Sequence, residues 1–384
     1  MTDELRLLHT SDVHIGKAFE QFGAFGQKLR AQIKETFSKV FEVAAARRVD
    51  AVLLSGDVFD SERISPADIK FFMDTVSSIQ PTPVFFLPGT WTHDSINQKA
   101  IFRSRHFQLN KPVNLQIFTK ETVETHRLDS GRLAIHGRAV LPDSGDPLDG
   151  LAPDPHAEFN VLLLHTGIAL PQIPVESHGS LLKREHVEHC GFTYLAMGDR
   201  HTFTLCFDQA ATIVQYPGSP ETLQFRDGDE SGFVAMVSLD ERGAKVEKIP
   251  TGHFKWTELD LSWEAFGSID ALKKKISSMK DPMRVMKVRL TGTIAGNESV
   301  EAERLAEELV PGFAYLEIDT HTLQYESPLQ ALEQDYREKT VEHAFVTLVR
   351  VQLEATADPE SKRKLSEVLR RGHALFQGLE GVTE

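Results

Sequence analysis

Five short apolar runs mark the first two hundred residues: Leu5 to Leu8, Ala51 to Leu54, Val84 to Leu87, Val161 to Leu164 and Tyr194 to Met197. Each ends in Gly or a polar cluster. Short apolar runs closed in this way predict buried strands of an α/β sheet. Between the first two, apolar residues recur at threes and fours. Leu29, Ile33, Phe37, Val40, Phe41 and Ala44 give one apolar face to a helix over Gln27–Arg47. A second helix starts at Ser65, where a serine N-cap, Pro66 at the first helical position and Asp68 in the first turn form a start signal. Its buried face is Ile69, Phe72, Met73, Val76 and Ile79, and Pro81 and Pro83 end it. Further strands are expected over Val113–Phe118, Arg132–Gly137 and Gly232–Leu239. Asp143–Pro155, rich in Asp, Pro and Gly, reads as a solvated loop without chemistry.

Beyond Thr251 the pattern changes. A segment from Trp256 to Leu261, a helix over Ile269–Met279, a strand over Val285–Leu290, a helix over Glu301–Leu309 and a strand over Tyr315–Asp319 form a small unit of their own. Ser327-Pro328 marks another boundary. Two helices are expected after it, Leu329–Leu353 and Pro359–Leu379, with apolar patches at Phe345, Leu348, Val349 and Val351 and at Leu365, Val368, Leu369, Leu375 and Phe376. The chain thus divides into 1–254, 255–326 and 327–384. At 384 residues it exceeds one typical domain.

Composition narrows the class. Hydrophobic residues make up 41%, enough for a normal core. No window approaches the length of a membrane span. Met1-Thr2-Asp3-Glu4 lacks the basic and apolar regions of a leader, and two cysteines suit a reducing cytoplasm. The net charge is −14, whereas phosphate-driven DNA binders are usually basic. Any affinity for DNA must therefore be local, bridged by metal or supplied by a partner.

The chemistry sits at the strand ends. They carry Asp12-Val13-His14, Gly56-Asp57-Val58-Phe59-Asp60, Gly89-Thr90-Trp91-Thr92-His93-Asp94, His165 and Gly198-Asp199-Arg200-His201. Singly, each is a common turn or a core histidine. In α/β folds, ligands gather at the carboxyl ends of strands, and five Asp/His clusters converging there would surround a pair of divalent metals. Asp12 and His14, two apart, would face the same way in an extended segment. A carboxylate beside an imidazole suits a borderline ion such as Mn²⁺. Phe19, Phe22 and Phe25 line a loop at the site mouth, where they would either stack a base or pack into the core.

These clusters resemble the calcineurin-like metallophosphoesterases, whose pattern is Asp-x-His, Gly-Asp-x-x-Asp, Gly-Asn-His-Asp/Glu, a lone His and Gly-His-x-His. Leu8-His9-Thr10-Ser11-Asp12-Val13-His14-Ile15-Gly16 and Tyr216-Pro217-Gly218-Ser219-Pro220-Glu221 look most like the SbcD branch, nuclease subunits of double-strand-break repair complexes. The resemblance covers about residues 5–240. It implies a metallophosphoesterase β-sandwich flanked by helices, with a small α/β capping domain and a helical tail. It also implies hydrolysis of a DNA phosphodiester with two divalent ions, Mn²⁺ foremost. Asp12, His14, Asp57 and His201 would hold the first metal, with Asp57 bridging. His165, Asp199 and Thr92 would complete the second. His93 would steer the phosphate or protonate the leaving oxygen, Asp94 would orient His93, and Asp60 would shape the site from behind.

The implied partners are DNA, an SbcC-like coiled-coil ATPase docked by the tail, and a second copy of the chain. The tail helices packing on their own domain is the other reading. Two positions depart from the pattern: Thr90-Trp91-Thr92 stand where the Asn is expected, and Asp199 replaces the first His of Gly-His-x-His. They keep two alternatives open, a subunit that only docks an ATPase and a phosphatase or cyclic-nucleotide phosphodiesterase on the same fold.

Overall fold

The computed structural model describes residues 4–61, 63–89, 101–140, 145–170, 180–209, 212–294, 304–325, 336 and 340–376. Contacts divide the chain into two compact units, Met1–Trp256 and Thr257–Glu384. The first lays down β1 (Leu5–Thr10), β2 (Ala51–Ser55), β3 (Val84–Leu87), β4 (Leu115–Ile117), β5 (Glu124–Leu128), β6 (Leu133–Gly137) and β7 (Phe159–His165). After a short pair, β8 (Gly167–Ala169) and β9 (Leu181–Lys183), come β10 (Tyr194–Gly198), β11 (Thr204–Gln209), β12 (Thr212–Tyr216), β13 (Phe233–Asp240) and β14 (Gly243–Pro250). They form two six-stranded mixed sheets, β14-β13-β1-β2-β3-β4 and β11-β12-β10-β7-β6-β5.

Side-chain alternation explains why both faces of the central strands are apolar. Leu5, Leu7, Ala51, Leu53, Phe85 and Leu87 of one sheet meet Leu133, Ile135, Val161, Leu163, Tyr194 and Ala196 of the other in a shared core. Each such Leu, Ile or Val contributes roughly 1.5–3 kcal/mol on full burial. The alternate residues face outward under helices. Phe86 contacts Phe72 of α2 (Pro66–Ser77), and Phe72 stacks on Phe37 of α1 (Gly23–Arg47) at 6.0 Å. The Ser65 hydroxyl caps α2 by accepting from the Asp68 amide at 3.1 Å. The sandwich flanked by helices is the architecture the sequence implies.

Helix α1 begins at Gly23 rather than Gln27. Phe19, Phe22 and Phe25 are buried. Phe22 meets Trp256 edge-on and Phe25 meets Phe254, both at 5.4 Å. Of the two readings of these aromatics, core packing is the one the structure shows. In the two six-stranded sheets, four strands went unforeseen: β5, β11, β12 and β14. Three of them, β5, β11 and β14, are sheet edges. β5 and β14 have few buried positions, so their sequences lack an apolar run.

In the second unit β15 (Lys255–Ser262, begun in the first), β16 (Asp281–Ile294) and β17 (Phe313–Tyr325) make a three-stranded sheet, with β16 and β17 parallel. Leu272 and Ile276 of a helix over Ile269–Ser277 pack with Met286, Val288 and Leu290. Two further helices, Val341–Ala355 and Pro359–Phe376, pack through Val346, Val349 and Leu369 and leave Leu348, Val351 and Leu375 exposed. No helix among the described residues is long and apolar enough to cross a membrane.

Candidate metal centre

The parallel strands β1, β2 and β3 of one sheet and β7 and β10 of the other turn their carboxyl ends to one rim. The two rims nearly touch there. The Ser55 hydroxyl donates to the Ala196 carbonyl at 3.0 Å, and Nδ1 of His165 pairs with the Ser55 carbonyl at 2.7 Å. Such closeness requires glycine. A Cβ on Gly56 would run into the His165 ring, and one on Gly198 into the Ser55 carbonyl. Gly56 also has φ +89°, a conformation side chains rarely adopt.

Asp12 and His14 do not lie in an extended segment, as the two-residue spacing implied. Their φ values are 52° and 55°, Asp57 has 49° and Asp199 has 105°. Left-handed backbone is costly for most side chains but more tolerated by Asp and His, and it clusters where function fixes it. Backbone bonds hold the loops together: Asp12 N to Gly56 O and His14 N to Asp57 O, both 3.0 Å. Convergence therefore comes from paired tight turns, not from strand alternation.

Two groups of ligand atoms result. Asp12, His14 and His201 offer atoms within 4.8 Å of one another, and so do Asp12, Asp57 and His165. Asp12 is common to both. Asp199 stands beside them: its amide donates to the Asp12 carboxylate at 3.2 Å, and its own carboxylate is 4.0 Å from Nε2 of His165. Each histidine has an oxygen at Nδ1, namely Asp60 for His14 at 3.0 Å, Ser55 O for His165, and Asp227 for His201 at 3.4 Å. Lys17 joins Asp60 at 3.2 Å. With Nδ1 so engaged, Nε2 carries the lone pair that a ligand needs.

Electrostatics suit a cation site. Burial opposes protonation of His165, yet the carboxylates of Asp57, Asp12 and Asp199 outweigh it and raise the imidazole to about 9. Burial raises Asp199 as well, seconded by Asp12 and Asp57. His201 is raised despite its burial, chiefly by the Asp227 carboxylate beside Nδ1. His14 is lowered, mainly by burial. Nε2 of His165 is buried and hydrogen-bonds to nothing among the described residues, 3.6 Å from Asp57. A buried imidazole nitrogen facing carboxylates is a donor set that a borderline divalent ion satisfies. The residues fit such an ion.

Asp227 and Gln224 were not foreseen from sequence. They lie more than twenty residues past His201 in no motif. The Tyr216–Glu221 stretch, by contrast, braces the site. Tyr216 donates to Thr166 O at 2.7 Å, behind His165, and the Ser219 amide donates to His201 O at 3.0 Å. Glu221, buried, accepts from the Thr36 hydroxyl at 2.6 Å and from the amides of His253 and Phe254 at 2.9 and 3.1 Å. In the Asp143–Pro155 loop, Asp146 accepts from the Leu148 amide and pairs with His186, a clasp that holds the loop. Thr92, His93 and Asp94 lie outside the described residues.

Residues 5–203 match the calcineurin-like phosphoesterase family, and the chain belongs to it. It is distantly similar to archaeal proteins named DNA double-strand break repair protein Mre11. The one from Methanopyrus kandleri is 26% identical over 62% of this chain and 52% of its own length. That from Methanosarcina acetivorans is 30% identical over 66% and 40%, and that from Archaeoglobus fulgidus 24% identical over 82% and 73%. The chain thus spans about half the length of the first of these relatives.

Proposed function

We propose that this protein is a metal-dependent phosphodiesterase acting on DNA, the nuclease subunit of an SbcCD-like repair assembly. The observation that carries this reading is the position of Asp12 in both groups of ligand atoms, which sets two cation positions side by side at the rim of a phosphoesterase fold. The name shared by the archaeal relatives supports DNA as the substrate.

Asp12, His14 and His201 would hold one ion and His165, Asp57 and Asp199 the other, with Asp12 and Asp57 between them and Thr92 beside the second. When bound, two such ions hold the phosphate, activate water and stabilise charge in the transition state. The chain's own part is to aim the imidazoles. Asp60, the Ser55 carbonyl and Asp227 each face an Nδ1 and leave Nε2 toward the centre. His93 would steer the phosphate or protonate the leaving oxygen, with Asp94 orienting it. Residues 255–326 would orient DNA. Residues 327–384 would dock a coiled-coil ATPase through apolar positions such as Leu348 and Val351, which are exposed.

Purified protein is expected to hydrolyse bis-p-nitrophenyl phosphate and linear DNA with Mn²⁺ and to stop when the ion is chelated. Asp57→Ala is expected to abolish both activities. Full activity in that variant, or activity that survives chelation, would sink the reading. Hydrolysis of phosphomonoesters but not of DNA would move the protein to the phosphatases.

A further inference from the structure

We propose that Asp227 is a positioning residue of this centre, holding the His201 imidazole in the orientation and tautomer that serve the Asp12–His14 position. The proposal rests on the two-metal reading and extends it to a part of the chain beyond the residues that match the family. Asp227 follows β12 in a short 3₁₀ segment, Phe225–Glu230, shortly after the Tyr216–Glu221 stretch and outside every Asp/His cluster. Its side chain is 5% exposed. A carboxylate so buried costs stability unless something compensates it. Gln224 satisfies Oδ1 with an amide bond of 2.8 Å. Arg226 stands 4.0 Å away and points into solvent, 75% exposed. Oδ2 has no hydrogen bond among the described residues and lies 3.4 Å from Nδ1 of His201.

The donors around that nitrogen settle the direction of the bond. The Gln224 amide, which can only donate, also lies 3.4 Å from Nδ1 of His201, but giving its second N–H to that nitrogen would leave the buried Oδ2 of Asp227 unpaired against a lone pair. An Nδ1–H donating to Oδ2 of Asp227 is the arrangement that satisfies all three groups. It leaves Nε2 with the lone pair, on the ring edge opposite Asp227. The His201 ring meets that of His14 edge-on at 5.1 Å, and His14 is backed in the same way by Asp60. One cation position thus has both imidazoles backed by carboxylates, while His165 at the other is backed by a neutral carbonyl. A carboxylate behind an imidazole raises its basicity as a ligand and fixes the ring. The two positions are therefore unequal, and Asp227 is part of the cause.

The test is Mn²⁺ calorimetry on the full chain with the wild type, Asp227→Asn and Asp227→Ala, together with apo melting temperatures. The wild type is expected to bind two ions, the first more tightly. Losing a backing partner of this kind typically weakens a metal site ~10–100-fold. Asp227→Ala is expected to lose affinity at the tighter step toward the upper end of that range, and Asp227→Asn, which keeps shape without charge, toward the lower end. The weaker step should hold within a few-fold. If Asp227→Ala does not fold, the isosteric Asn variant decides alone. Wild-type affinity at both steps in the Asn variant, or equal losses at both steps that track a lowered melting temperature, overturns the proposal. A wild type that binds no Mn²⁺ would instead fail the two-metal reading itself, so the two failures are separable.

Discussion

Metal entering this centre would expel a proton. His165 is pushed up to about 9, burial being outweighed by Asp57, Asp12 and Asp199. Its ordinary value is 6.5, so at neutral pH the imidazole is charged. Burial also raises Asp199, 4.0 Å away, so the pair retains a proton whichever partner holds it. A cation at Nε2 requires the neutral ring. Mn²⁺ binding near pH 7 is therefore expected to release about one proton, and affinity to rise about tenfold per pH unit up to about pH 9.

Between pH 7 and pH 9 the affinity recovered corresponds to ~3 kcal/mol. The sign for stability is opposite. A raised folded-state value makes His165 stabilising in the metal-free protein below pH 6.5, and that contribution is lost as pH climbs through about 9. Calorimetry in buffers of differing ionisation enthalpy reads the protons directly. Asp199→Asn removes one of the three carboxylates and should reduce the release. A pH-independent affinity with no buffer dependence at pH 7 would refute the electrostatic account of the site.

Two more outcomes follow from the surrounding structure. Glu221→Ala leaves the Thr36 hydroxyl and the His253 and Phe254 amides without their acceptor; at ~1–3 kcal/mol per orphaned group, discounted for water entry, a loss of ~3 kcal/mol is expected. In a domain of this size that is a fall of ~6–12 °C in melting temperature by scanning calorimetry. Deleting the chain after Glu326 is expected to leave Mn²⁺-dependent hydrolysis of small diesters intact and to abolish capture of a coiled-coil ATPase. An insoluble truncation would show instead that the two terminal helices belong to the core of the rest of the chain.

How much of this was legible depends on burial. β1, β2, β3, β7 and β10 show as apolar runs because both faces of each are covered, one by the opposing sheet and one by helices or loops. β5 and β14 do not, because an edge strand keeps polar residues on its open face. The residues of the centre were legible as types at strand ends, since Asp and His stand out after Leu and Val. The manner of their convergence was not. Four left-handed residues in tight turns replace the simple alternation that the Asp12–His14 spacing suggests. Asp227 was invisible for a different reason: nothing local distinguishes a buried aspartate behind a ligand from one on the surface. Of the Tyr216–Glu221 stretch, the sequence gives recognition but not the job, which is to tie the turns bearing His165 and His201 to helix α1.

The meeting of the two sheet rims also bears on when the centre can exist. Asp12 and Asp57 belong to one sheet and His165 and Asp199 to the other, more than a hundred residues later. No fragment carrying one sheet contains a complete set. Pairings over such separations form late and slowly in folding. With the same geometry, an ion held by Asp12, Asp57 and His165 would act as a clasp across the sandwich, where Ser55 already bridges to Ala196 and His165. Amides at this rim, such as that of Thr166 bonded to the Gly198 carbonyl, should exchange with solvent through an opening that metal would suppress, while the far ends of the same strands exchange at a rate indifferent to metal.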